Sequence, residues 1–136
     1  MSQTLTLTTI VVRDYDEAID FYVEKLGFEV RVDEWLSPAK RWVVVAPSGV
    51  DQAGLLLARA VGDEQISAIG NQAGGRVFLF LQTEDFDRDH AVYQARGVTF
   101  AEEPRLEPYG KVAVFQDLYG NKWDLIEPAP AKAVAA

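Results

Sequence analysis

Asp14-Tyr15-Asp16 and Asp85-Phe86-Asp87 decide the fold, because these two triplets mark two copies of one structural unit. A shift of 71 residues (14 to 85) places the first triplet on the second, and it also places Tyr22 on Tyr93. In both copies an apolar run leads into the triplet, a helical pattern follows, and a glycine ends that pattern. A period of this kind indicates one supersecondary unit used twice.

The first copy predicts one strand, one helix and three further strands. Leu5–Val12 is rich in β-branched residues and lacks glycine and proline, as is typical of a strand. Asp14 and Glu17 have the spacing of a capping box, and apolar residues then recur at helical spacing until Gly27 ends the helix. The further strands are predicted over residues 28–35, 41–47 and 54–60.

The second copy predicts the same order of elements. A strand over 77–83 and a helix over 86–96 precede strands near 98–102, 111–116 and 122–127. Tyr119-Gly120-Asn121 is predicted to form the turn before the last strand. We therefore predict two βαβββ modules, over 1–60 and 76–128, in one structural domain. A glycine-rich linker is predicted over 61–75 and a disordered tail over 129–136.

Length and composition limit the classes of protein. With 136 residues, of which 49% are apolar, the chain has enough apolar side chains for one core that both modules share. No apolar run is long enough to span a bilayer, and Met1-Ser2-Gln3 does not resemble the start of a signal peptide, so we expect a cytoplasmic protein. The absence of cysteine excludes thiolate catalysis and thiolate metal sites.

The charge of the chain argues against two kinds of partner. The formal net charge is −8, and no basic cluster interrupts it. Such a chain repels phosphate backbones and anionic lipids. We therefore expect no nucleic-acid and no membrane partner.

Two separated motifs give the chain a resemblance to a known family. Val12-Arg13-Asp14 through Leu26-Gly27-Phe28, together with Asp117-Leu118-Tyr119-Gly120-Asn121, resembles the vicinal-oxygen-chelate superfamily, which includes glyoxalase I, bleomycin-resistance proteins and extradiol dioxygenases. The resemblance implies an α+β fold in which two βαβββ modules form a curled mixed sheet around a concave cavity. It also implies a homodimer. It does not fix the activity, because function depends on the site.

The resemblance also implies where a metal would bind. Metalloenzymes of the superfamily carry His, Gln or Glu ligands on the first and last strands of each module. The corresponding positions here are Leu7, Leu56, Phe78 and Asp124. One carboxylate beside three hydrocarbon side chains does not supply the donors that a divalent metal requires. We therefore predict no metal and no cofactor. His90, the only histidine, lies in the second helix and is expected to be solvated.

Alternation along the strands predicts which side chains face the cavity. The apolar and aromatic character of this face favours a pocket for a small molecule, although the same aromatics could simply fill the core. Trp35 and Trp42 complete the predicted lining, and Arg41 and Tyr109 are predicted at its rim. The predicted ligand-binding residues are Leu7, Thr9, Trp35, Arg41, Trp42, Leu56, Phe78, Phe80, Gln82, Tyr109 and Asp124.

Asp124 has two interpretations. A buried carboxylate is costly without a partner, so Asp124 should pair with Arg41, with Lys111 or with a cationic ligand. The main hypothesis is a metal-free protein that binds a small hydrophobic or aromatic molecule, including a cationic one, for resistance or sequestration. The alternative is a lyase, isomerase or dioxygenase of the glyoxalase type, in which Asp124 is the catalytic base or an unusual metal site operates.

Overall fold

A computed structural model describes residues 1–49 and 52–130 of the chain. The chain divides into two compact units, the first covering Met1–Gln72 and the second beginning at Ala73. The division falls inside the segment predicted as a linker. The predicted tail lies outside the described residues from position 131 onward, while Ala129 before it donates a backbone hydrogen bond to the Tyr109 carbonyl at 2.8 Å.

The first unit is built as a strand, a helix and three strands, followed by a short helix. Its strands are β1 (Leu7–Val12), β2 (Glu29–Ser37), β3 (Lys40–Ala46) and β4 (Gly54–Arg59). Helix α1 (Tyr15–Asp20) continues as a π-helical turn, Phe21–Lys25, and α2 (Asp63–Ala68) follows β4. The sheet order is β1-β4-β3-β2, in which β1 pairs with β4 in parallel and the other pairs are antiparallel.

The helical segment formed by α1 and the π-helical turn begins and ends where the sequence predicts. The Asp14 carboxylate accepts a hydrogen bond from the Glu17 amide at 2.9 Å, which satisfies one of the free N–H groups at the helix start. Gly27 has a φ of +77°, a left-handed conformation that ends the helical turn at little steric cost. The π-helical widening before it is marked by the hydrogen bond from the Leu26 amide to the Phe21 carbonyl.

The core of the first unit lies between α1 and one face of the sheet. Helix α1 contacts β3 and β4, and five strand side chains on that face are fully buried. These buried strand residues are Ile10, Val12, Val43, Val45 and Leu57. The other face is more open, since Thr9 is exposed and Leu56 is only half-buried. One face thus holds the unit together and the other remains accessible.

The second unit repeats the arrangement with β5 (Val77–Gln82), α3 (Phe86–Ala95), β6 (Arg105–Glu107), β7 (Gly110–Gln116) and β8 (Lys122–Pro128). The sheet order is β5-β8-β7-β6, again with one parallel pair, β5 and β8. The prediction of an α+β fold with two βαβββ modules is confirmed, and within the described residues each module has its own four-stranded mixed sheet.

Two elements differ from their predicted positions. The strand expected near 98–102 is reduced to a single bridge between Phe100 and Phe115, and regular pairing resumes only at β6. The reason is that the Glu102 carboxylate accepts the hydrogen bond of the Val114 amide at 3.1 Å, in place of a backbone carbonyl of the neighbouring strand. Pro104, which has no N–H group, follows two residues later. The glycine-rich segment 61–75 also contains a helix, α2, whose start is supported by the Gln65 side chain accepting from the Val61 amide.

The turn between β7 and β8 is organised by Asp117. Its carboxylate accepts from the amides of Tyr119 and Asn121 at 3.0 and 2.9 Å, and from the Asn121 side chain at 3.0 Å. Gly120 has a φ of +94°. Asp117 and Asn121 are both buried, so the quoted motif is a structural device that closes the predicted turn.

No helix among the described residues is long and apolar enough to cross a membrane.

Candidate ligand-binding site

The open faces of the two sheets place equivalent residues in the same register. Leu56 on β4 lies opposite Thr9 on β1, and Asp124 on β8 lies opposite Phe80 on β5. Thr9 and Phe80 are themselves separated by the repeat shift of 71 residues. The structure therefore places Leu56 and Asp124 at corresponding positions of the two units, as the aligned repeats predict.

In the first unit a cleft opens where two strands cease to pair. The ladder between β3 and β4 ends at the pair Val43 and Leu57, so the first residues of β3 and the last residues of β4 are not joined by it. A cavity of about 530 Å³ lies there. We call it the first-unit cleft; its lining residues are Tyr15, Ala39, Lys40, Arg41, Trp42, Leu56, Leu57, Ala58, Arg59, Val61 and Gln65.

Three of the predicted binding residues meet at this cleft: Arg41, Trp42 and Leu56. Leu7 and Thr9 lie on β1 beside β4, opposite Gly54 and Leu56, and neither lines the cleft. Both have accessible side chains, with Leu7 40% exposed. These two residues thus extend the open face of the sheet away from the cleft.

Arg41 is held by two carboxylates of its own unit. Its Nη2 and Nε donate to Asp33 at 2.7 and 3.1 Å, and its Nη1 donates to Asp16 on α1 at 2.7 Å. The hydrogen bonds to Asp33 and then to Asp16 raise the pKa of the guanidinium. The Arg41 carbon Cζ also lies 5.4 Å from the centroid of the Tyr15 ring. Arg41 therefore joins β3 to α1, and its charge is already compensated.

Trp35 lies apart from Trp42. It pairs with Arg41 across β2 and β3, and its ring centroid lies 5.3 Å from the Arg41 Cζ. The side chain is 66% exposed and borders an open depression at the β2–β3 turn with Leu36 and Pro38. Trp42 faces Glu34 instead. The two tryptophans therefore lie on opposite faces of the sheet, because neighbouring strand residues alternate.

In the second unit, Asp124 is the most unusual side chain of the open face. The residue is 5% exposed, and its Oδ1 is buried without a hydrogen-bond partner among the described residues. Burial raises the pKa of this carboxyl; the charge of Arg105 opposes the rise, and Glu102 adds to it. Phe80, opposite Asp124 on β5, is 67% exposed.

The basic residues near Asp124 in its own unit are engaged elsewhere. Lys111, one predicted partner, forms an ion pair with Asp87 on α3. Arg105 binds Glu102 and Glu107 through its guanidinium. Arg41, the other predicted partner, is occupied within the first unit. The predicted structural ion pair of Asp124 with Lys111 is therefore not formed, and Lys111 does not compensate the buried carboxylate.

The remaining predicted residues are spread over the second unit. Gln82 is exposed and lies opposite Ile126. Phe78 is half-buried at an irregularity of β5, between Val77 and Leu79. Tyr109 is exposed in the turn between β6 and β7. None of the three lines the first-unit cleft.

His90 is not the solvated residue that the sequence suggests. Its ring lies between those of Phe86 and Phe100, with centroids 5.4 and 4.3 Å away, and its Nε2 is buried without a hydrogen-bond partner in the described part of the chain. The expectation was wrong because it used helix position alone, whereas Phe100 follows the helix and covers this side of it.

The residues at the implied metal positions do not fit a metal. Leu7, Leu56 and Phe78 have no donor atoms, and Asp124 alone offers oxygen. Within residues 1–49 and 52–130, no group of three or more His, Cys, Asp or Glu side chains is arranged to hold an ion.

Sequence reasoning missed several lining residues of the cleft. Val61 and Gln65 fall in the segment that was interpreted as linker, and Lys40 and Arg59 carry no motif. A usable signal was present for Arg41, however. The repeat aligns the ion pair of Asp16 and Arg41 with that of Asp87 and Lys111, so a structural role for both cations could have been inferred from the alignment.

This fold and these two motifs agree with the family comparison. The chain belongs to the Glyoxalase/Bleomycin resistance protein/Dioxygenase superfamily, whose sequence profile matches residues 4–125.

Individual relatives extend the comparison. An uncharacterized protein from Shewanella frigidimarina is 55% identical over 93% of this chain and 95% of its own length. The crystal structure of UcmS2 is 32% identical with a TM-score of 0.82, covering 93% of this chain and 99% of that one. TnmS3, described as an antibiotic binding protein from Streptomyces sp. CB03234, is 33% identical with a TM-score of 0.75, covering 94% and 98%.

Proposed function

We propose that this protein binds a small hydrophobic or aromatic molecule without using a metal, and that it does so in the first-unit cleft. The observation that carries the proposal is the cleft itself: about 530 Å³ bordered by Trp42, Leu56, Ala58 and Val61. Ligand pockets of proteins have volumes of roughly 300 to 1,000 Å³ and are mostly apolar, with a few polar groups that orient the ligand.

The cleft offers both kinds of contact. Trp42 supplies aromatic surface, on which a flat ring can stack. Gln65 supplies an amide, and its side chain is held in place by the hydrogen bond from the Val61 amide at 2.9 Å. A ligand that enters would therefore exchange water for apolar contacts while meeting a fixed polar group at the α2 side.

The relatives support a binding role. TnmS3, at 33% identity, is described as an antibiotic binding protein. A resistance or sequestration role for this chain would follow from tight binding without turnover. The hypothesis of a cationic ligand rests on Asp124 in the second unit rather than on the cleft.

The test uses the neutral fluorescent probe N-phenyl-1-naphthylamine. We expect saturable binding whose affinity is unchanged by EDTA, and we expect Ala58→Trp to reduce the affinity at least tenfold by filling the cleft. Val30→Trp on exposed β2 is the matched control and should bind as the wild type does. Absence of saturable binding, or equal affinity of the two variants, would reject the proposal.

A second candidate function rests on Asp124. A buried carboxyl with a free oxygen and a raised pKa is suited to abstract a proton from a substrate. Glyoxalase-type isomerisation that survives EDTA and is lost in Asp124→Asn would favour this enzyme over the binder. Unchanged turnover in the variant would exclude Asp124 as the base.

We also propose that the chain forms a homodimer, as its family resemblance implies. Sedimentation equilibrium of the full chain measures this directly, and a single monomeric species at micromolar concentration would contradict it.

A further inference from the structure

The first-unit cleft has the opposite charge to the chain as a whole. The chain contains 21 acidic and 13 basic residues. Yet the lining of the cleft includes Lys40, Arg41 and Arg59, and no aspartate or glutamate lines it among the residues that the structure describes. Most charged residues of this protein are acidic. The described lining of the cleft, with three cations and no carboxylate, is therefore more positive than the rest of the chain.

Only part of this positive charge is compensated. Arg41 is neutralised by Asp16 and Asp33. Lys40 and Arg59 are exposed, and neither side chain has a hydrogen bond, ion pair or ring contact within the described residues. Two cations at this cleft are therefore available to a ligand.

The topology brings these two cations to the same end of the cleft. Lys40 is the first residue of β3 and Arg59 is the last residue of β4. Because β3 and β4 are antiparallel, the start of one strand lies at the same end as the finish of the other. This is also the end at which the strands no longer pair, so the opening between them has a cation on each side.

We propose that the ligand of the first-unit cleft is an amphipathic anion, an aromatic or other apolar ring system that carries a carboxylate or sulfonate. The apolar part packs against Trp42 and Leu56, and the anionic group lies between Lys40 and Arg59. This inference rests on the proposed function and deepens it by naming the class of ligand. It opposes the hypothesis of a cationic ligand, which rests on Asp124 in the second unit.

A matched pair of probes tests the inference. N-phenyl-1-naphthylamine is neutral, and 8-anilinonaphthalene-1-sulfonate adds a sulfonate to the same ring system. We expect the sulfonate probe to bind about tenfold more tightly at low salt, which is the effect of a unit charge near two cations at a partly screened site. The advantage should shrink as the NaCl concentration rises from about 20 to 300 mM, since the screening length falls from about 20 Å to about 6 Å.

Variants connect the preference to the two cations. In Lys40→Gln with Arg59→Gln, the ratio of the two affinities should fall about tenfold. Arg76→Gln removes an exposed cation outside the cleft and should leave the ratio unchanged. Melting temperatures of all variants verify that they are folded.

The outcomes distinguish failure of the anionic ligand class from failure of the proposed ligand-binding function. Equal affinities for the two probes, or tighter binding of the cationic probe proflavine, would overturn the anionic class while leaving a ligand-binding protein. A ratio that falls equally in Arg76→Gln would show that the preference comes from general electrostatics and not from the cleft. If neither naphthyl probe binds, the proposed function fails as well.

Discussion

The two units share the contacts of their helix-bearing face and differ on the face that is left open. Asp16 with Arg41 in the first unit corresponds to Asp87 with Lys111 in the second, and both pairs join a helix to a strand. On the open faces the corresponding positions hold Leu56 and Asp124.

Comparison of the two faces distinguishes the residues that stabilise the fold from the residues that define the sites. The cations also cover equivalent rings, since Arg41 lies over Tyr15 and Lys111 lies over Phe86, both with separations of 5.4 Å. Contacts retained in both copies serve the fold that the copies share. The open faces have diverged into an apolar cleft bordered by cations in one unit and a buried carboxyl in the other.

The largest expected effect comes from removing the equivalent core tyrosines. Tyr22 is fully buried and packs on Phe28 with a centroid distance of 5.6 Å, and Tyr93 packs on Phe115 at the same distance. Tyr22→Ala should lower the free energy of unfolding by about 3 to 5 kcal/mol because it leaves a cavity. Tyr93→Ala should cost somewhat less, since Tyr93 is slightly exposed.

Urea denaturation followed by circular dichroism measures both tyrosine variants. Losses below about 1 kcal/mol would contradict the equivalence of the two cores. Separate transitions for the two units would show that each unfolds on its own.

Exchange of the diverged open-face residues comes next. Asp124→Leu copies the first unit into the second and should stabilise the protein by about 1 to 3 kcal/mol at pH 8, because it removes an unpartnered buried polar group. The gain depends on pH. Burial raises the pKa of the folded carboxyl, so its ionised form opposes folding above that pKa, and the penalty disappears below the ordinary value.

Thermal melts of Asp124→Leu between pH 4 and pH 8 test whether the stabilisation by this substitution increases with pH. The difference from wild type should be large at pH 8 and small at pH 4. The reverse exchange, Leu56→Asp, should destabilise the protein at pH 8. Stabilisation that grows as the pH falls would show that the native carboxylate is held in its ionised form.

The helix caps should have equal but smaller effects. Asp14 accepts from the Glu17 amide at 2.9 Å, and Asp85 accepts from the Arg88 amide at 3.1 Å. Asp14→Ala and Asp85→Ala should each cost about 1 kcal/mol by chemical denaturation. Asp→Asn at the same positions keeps the acceptor and should restore most of the stability. A large loss of stability in only one of the two alanine variants would contradict the equivalence of the two caps.

The smallest effects are expected for the paired cations. Arg41 has a side chain that is only 11% exposed and binds two carboxylates, so Arg41→Met should cost about 1 kcal/mol. Lys111 binds the exposed Asp87, and Lys111→Met should cost about half as much. Arg76→Met is the control, since Arg76 forms no ion pair within residues 1–49 and 52–130. A cost at Lys111 above that at Arg41 would contradict the assignment of Arg41 as the tighter connection.

Much of the fold could be predicted because the signals are local. Alternating and helical patterns gave the order of elements, and the repeat gave the correspondence of Leu56 with Asp124. The position of the second strand of the second unit was not predicted correctly, because a side chain, Glu102, replaces a backbone acceptor there. Helix α2 was not predicted, because the glycines that flank it are typical of a linker.

The candidate site was predicted only in part. Leu56 was predicted from strand position and Trp42 from residue type, and both line the cleft. Trp35 and Arg41 were chosen by residue type, and pairing across β2 and β3 places them together at the helix-bearing side, with Arg41 bound to Asp16. Residue type predicts what a side chain can bind, while strand register and nearby charges decide what it does bind.

The sequence by itself determined the repeat, the βαβββ order, the helix boundaries at Asp14 and Gly27, and the lack of donors at three of the four implied metal positions. These features depend on residues near one another in the chain or on an internal alignment. Only the tertiary structure decided that the ladder of β3 and β4 stops at Val43 and Leu57, which opens a cleft between Lys40 and Arg59. The end of a ladder depends on how separate strands meet, and no local pattern in either strand encodes it.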